Sequence, residues 1–103
     1  MSDSDVLWKQ DFQLTEKFRV EVRVYEVKPS DKYPEGVKAR FVLIDIEKGA
    51  ARLLVDNHAP YGFHIHAKLP GDKSSRETLK AKDFYEAFEE FILEAERVIK
   101  NEK

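Results

Sequence analysis

All three histidines of this chain, His58, His64 and His66, fall within nine positions, in the segment Val55-Asp56-Asn57-His58-Ala59-Pro60-Tyr61-Gly62-Phe63-His64-Ile65-His66. Side chains alternate between faces in an extended segment, so His64 and His66 share one face while Phe63 and Ile65 point the other way. On one strand the two imidazoles stand about 7 Å apart. An imidazole of ordinary pKa, about 6.5, can serve as either base or acid near neutrality. Such a pair suits metal-independent RNA cleavage. One group removes the proton of a 2′-hydroxyl, the oxygen attacks the adjacent phosphorus, and the other protonates the leaving 5′-oxygen. His64 and His66 are the candidate acid and base, and Asp56 is the candidate carboxylate for orienting an imidazole tautomer.

Cations must then hold the backbone and stabilise the charge developing on phosphorus. Lys38, Arg40, Lys68, Lys73 and Arg76 are the candidates. Asn57 could position a phosphate or ribose, or make a turn. His58, beside Pro60, reads as a turn residue. A second use of His-x-His is to share one Zn²⁺ with a third ligand such as Asp56 or His58. The chain holds no second ligand cluster, and the catalytic reading requires no metal and no cofactor. A third reading is non-catalytic: the histidines fill a half-buried surface, and the sheet edge or the acidic side of the helix docks a partner.

The composition bounds these readings. With 103 residues the chain forms one core. Hydrophobic residues at 42% and charged residues at 37% fit a folded soluble domain. Without cysteine there are no disulfides, thiolate metal sites or cysteine nucleophiles. No apolar run approaches the roughly 18 residues of a membrane span, and the acidic start Met1-Ser2-Asp3-Ser4-Asp5 is unlike a signal peptide. A cytoplasmic location is expected, with no membrane association. No glycine-rich phosphate loop or nucleophile elbow is present. The net charge is only −2, but it is unevenly spread. Lys68 to Lys82 is basic, whereas Asp83 to Arg97 carries six acids against one arginine. One side of the molecule can therefore face an anion while another repels it.

The elements that must position these residues follow from periodicity. Val6 to Leu14 alternates in part. Phe18 to Val24 alternates strictly, with apolar even positions and charged odd ones, and predicts a half-buried strand. Pro29 to Gly36 is a loop. Val37 to Ile46 and Arg52 to Asp56 read as strands, and the histidine segment as a further short one. Leu69 to Ser75 has the composition of a mobile loop. From Lys82 the period becomes helical: Phe84, Phe88, Phe91, Ile92, Ala95, Val98 and Ile99 form one stripe, with Asp83 and Glu86 as a capping box. The expected fold is α+β, an antiparallel sheet of about five strands with one C-terminal amphipathic helix packed across one face. Its expected parts are a disordered tail at 1–5, the sheet at 6–67, a basic loop at 68–82 and the helix at 83–101. The uncovered face should carry Lys38, Arg40, Arg52 or their neighbours, depending on the register. Tyr85 and Leu93, apolar but outside the stripe, together with a sheet edge leave room for a homodimer.

The order Asp56-Asn57, a Pro/Gly turn, Gly62, His64-x-His66, a charged loop and a terminal helix resembles the TumE-like proteins, small toxin components of prokaryotic toxin–antitoxin pairs. Upstream, the turn and strand from Thr15 to Phe18, the proline-rich loop, and Gly36 followed by Lys38-x-Arg40 are similar as well. The resemblance covers most of the chain from about Thr15 onward. It implies an α+β domain that acts on RNA or inhibits growth and is neutralised by a cognate antitoxin with a DNA-binding fold.

Overall fold

A computed structural model describes residues 5–59 and 62–102. The expected tail lies outside these residues except for Asp5, which opens the first strand. The elements run β1 (Asp5–Gln13), β2 (Phe18–Glu26), β3 (Val37–Asp45), β4 (Ala50–Asp56), β5 (His64–His66), β6 (Glu77–Thr78) and α1 (Phe84–Asn101). The six strands form one sheet in chain order, each antiparallel to the last. The sixth strand, two residues within the predicted basic loop, is too short to leave a periodic signal.

Alternation decides which face is covered. On β2, Phe18, Val20, Val22 and Val24 are buried, as are Ala39, Phe41 and Leu43 on β3, Leu53 and Val55 on β4, and Ile65 on β5. The helix lays Ala87, Phe91 and Ala95 onto this face, with Phe84, Phe88, Ile92, Val98 and Ile99 at the margins. Phe41 lies at the centre, its ring 5.3 Å from Phe88 and 5.9 Å from Phe91. From the edge strand, Trp8 meets Phe88 edge-on at 4.8 Å. Aromatic pairs in this range add about 0.5–1.5 kcal/mol each beyond the area they bury.

Both helix ends are tied down. At the N-terminus the Glu86 amide donates to Asp83 Oδ1 at 3.0 Å. The Glu86 carboxylate accepts from the Lys82 amide at 3.0 Å, one residue before the cap, instead of closing the expected reciprocal box on Asp83. At the C-terminus Glu102 pairs with Lys17 and with Arg52. Arg52, expected on the uncovered face, falls at the register shift between the pairs Leu43–Leu53 and Ile44–Ala51. That extra residue reaches for the helix end instead.

The second face of the sheet has no helix. It presents Lys9, Asp11, Arg19, Glu21, Arg23, Lys38, Arg40, Val42, Leu54, Asp56, His64 and His66, as the strand register requires. Arg23 is held by Asp11 and Arg19 by Glu21, so the β1–β2 part of this face is largely neutralised. Among the described residues no helix is long and apolar enough to cross a membrane.

Candidate functional site

Antiparallel register aligns the chemistry. Arg40 on β3 pairs with Asp56 on β4, which pairs with His64 on β5, which pairs with Thr78 on β6. One row across the uncovered face thus carries a guanidinium, a carboxylate and an imidazole as successive cross-strand neighbours, spaced by about 4.5–5.5 Å between Cβ atoms. His66 and His64 share this face, with ring centroids 5.1 Å apart, while Ile65 fills the core beneath them.

His58 joins them. Its Nδ1 lies 3.2 Å from Asp56 Oδ2, and its ring meets His64 edge-on at 4.8 Å. The carboxylate expected to orient an imidazole therefore orients His58, two residues on. Alternation applied to Asp56 and His58 would have placed them on one side, as it did for His64 and His66. The proline at 60 hid this by marking the segment as a turn.

The three imidazoles are held differently. His64 has no exposed surface. Its Nδ1 lies 2.8 Å from the Gly62 carbonyl oxygen, which can only accept, so Nδ1 carries the proton and Nε2 the lone pair. Gly62 adopts φ +64°, a left-handed conformation costly for other residues, and this turns its carbonyl toward the ring. Burial lowers the His64 pKa, outweighing the Gly62 hydrogen bond that raises it. His66 is 8% exposed, and its Nδ1 donates to the Ser75 carbonyl at 3.0 Å. The His58 and Asp56 side chains keep 27% and 24% of their surface.

The Asn57 side chain is turned to the backbone of β3. Its Oδ1 accepts from the Ala39 amide at 2.9 Å and its Nδ2 donates to the Val37 carbonyl at 2.8 Å. At 5% exposure it clips the end of β4 to β3. The Asp56 carboxylate also accepts from the Asn57 amide, at 2.7 Å.

The expected cations divide into two groups. Lys38 and Arg40 stand exposed on β3, Arg40 opposite Asp56. Lys68, Lys73 and Arg76 lie on the connection between β5 and β6, which is organised rather than slack. The Asp72 carboxylate gathers the Ser74 amide, the Ser74 hydroxyl and the Ser75 amide. These hydrogen bonds hold its pKa below the ordinary value. Lys73 lines a groove of about 360 Å³ with His66, Ala51, Leu54, Leu69 and Pro70.

Tyr33, on the β2–β3 loop, was not singled out by the sequence. Desolvation first, and the nearby Asp56 charge second, raise its phenol pKa. The Lys32 and Lys38 ammonium groups lie 5.8 and 5.9 Å from its ring centre. The Ala59 amide donates to the Lys32 carbonyl at 2.7 Å, stitching this loop to the His58 segment. No family model, curated protein or solved structure matches the chain.

Proposed function

We propose that the uncovered sheet face binds RNA and that its histidine cluster cleaves the backbone, the chain acting as the toxin of a TumE-like toxin–antitoxin pair. One observation carries the reading: Arg40, Asp56 and His64 form a cross-strand row flanked by His58 and His66, on the face away from the helix. A polyanion approaching that face meets Lys38 and Arg40 and is spared the helical glutamates.

The roles follow from burial and from which ring nitrogens are already held. His64, fully buried, does not touch substrate and serves as the wall against which the other two rings pack. His58, with Nδ1 on Asp56, offers Nε2 as the base for the 2′-hydroxyl. His66, fixed through Ser75, is the acid for the 5′-oxygen. Lys38 and Arg40 stabilise the phosphorane, and Lys73 and the rest of the basic connection hold the flanking backbone. The antitoxin partner follows from the resemblance. Exposed Val6 and Leu7 on the edge strand, and Tyr85 and Leu93 on the helix, are surfaces where it or a second copy would dock. The test is cleavage of single-stranded RNA in EDTA by the wild type, His58→Ala and His66→Ala.

A further inference from the structure

We propose that Asp56, His58 and His64 form a binding site for one divalent cation of the zinc class. One ligand atom from each lies within 4.8 Å of the others. Zinc bonds of about 2.0–2.2 Å in a tetrahedral shell hold their ligand atoms about 3.4 Å apart. The 3.2 Å between His58 Nδ1 and Asp56 Oδ2 already has that spacing. What is a hydrogen bond without metal becomes two coordination bonds when a cation replaces the shared proton. His64 closes the set by drawing in from within 4.8 Å to the spacing of the zinc shell.

The surroundings are those of a ligand cluster. His64 Nδ1 donates to the Gly62 carbonyl, which fixes the tautomer and leaves Nε2 to coordinate, the outer support usual for metal-bound histidines. Asp56 and His64 sit opposite one another on paired strands, so two of the three ligands are placed by the sheet. Two imidazoles and one carboxylate suit Zn²⁺ or Co²⁺, whereas Mg²⁺ and Ca²⁺ select oxygen-rich sites. Three protein ligands leave a fourth position for water or an oxyanion. His66 is outside the set of ligand atoms that lie within 4.8 Å of one another.

A consequence for the RNA reading concerns regulation. With His58 as the general base, a cation on Asp56 and His58 occupies the groups the reaction needs, and zinc silences cleavage. That consequence rests on the RNA reading; the binding itself does not.

The test uses the full chain, stripped with EDTA and without RNA. It is titrated with Zn²⁺ by calorimetry and with Co²⁺ by visible absorbance. The expected result is one equivalent bound, a tetrahedral Co²⁺ spectrum, no uptake of Mg²⁺ at the same concentration, and affinity at least about tenfold weaker in Asp56→Asn and in His58→Gln. Both substitutions are at partly exposed positions, and circular dichroism verifies their folding. Glu90→Gln, at an exposed helix position, should bind as the wild type does. No uptake, or uptake unchanged in both ligand variants, overturns the site. Zinc binding without RNA cleavage removes only the RNA reading, and zinc-insensitive cleavage without uptake removes only the metal site.

Discussion

Asp56 Oδ2 lies 3.2 Å from His58 Nδ1, while the same aspartate faces His64 across the β4–β5 pair. One carboxylate is thereby shared between an accessible imidazole and a buried one. In the acid–base reading its charge holds the Nδ1 proton of His58 and presents Nε2 to the 2′-hydroxyl. Asp56→Asn keeps the shape and removes that charge, and RNA cleavage should fall about 10²-fold in kcat with little change in KM. Steady-state kinetics on a labelled oligonucleotide measure both.

Asn57 is a structural residue, and its loss should appear as instability. Asn57→Ala strips partners from the Ala39 amide and the Val37 carbonyl together. At about 1–3 kcal/mol for each buried group left unsatisfied, roughly 2–6 kcal/mol of folding free energy should be lost. Urea denaturation would show it as a lower midpoint at unchanged slope.

Phe91 has no exposed surface and packs on Phe41 at the centre of the core. Phe91→Ala should cost about 3–5 kcal/mol. A cost below about 1 kcal/mol would mean that the helix is not seated on this face.

The helix C-terminus should be acid-sensitive. Hydrogen bonds from Arg52, then Lys17, hold the Glu102 pKa below its ordinary carboxylate value. A depressed folded-state pKa contributes stability that is complete above the unfolded value and is lost as pH falls through the folded one. Glu102→Gln should therefore melt below the wild type at pH 7, and the difference should close as the pH is lowered below about 4. Thermal melts across that range measure it.

Much of this architecture was legible because it depends on period. The strict alternation from Phe18 to Val24 set the buried face of β2, and the stripe from Phe84 to Ile99 set the seat of the helix. Where one residue changes the register the pattern gave no warning: Arg52 falls at the β4 irregularity and turns to Glu102. Within the candidate site, alternation paired His64 with His66, but proximity across a turn is not periodic. Beside Pro60, His58 reads as part of that turn, and Tyr33 belongs to a loop distant in sequence. Nor could sequence distinguish an asparagine that binds ligand from one that clips two strands. That depends on which backbone groups β3 leaves open at Val37 and Ala39.

The most direct test of the RNA reading is a time course of 5′-labelled single-stranded RNA with the purified chain in EDTA, resolving the cleaved ends. The prediction is product with 2′,3′-cyclic phosphate ends from the wild type, and at least about 10²-fold slower cleavage by His58→Ala and by His66→Ala, each folded by circular dichroism. No cleavage by the wild type, or equal rates in all three proteins, would contradict the account.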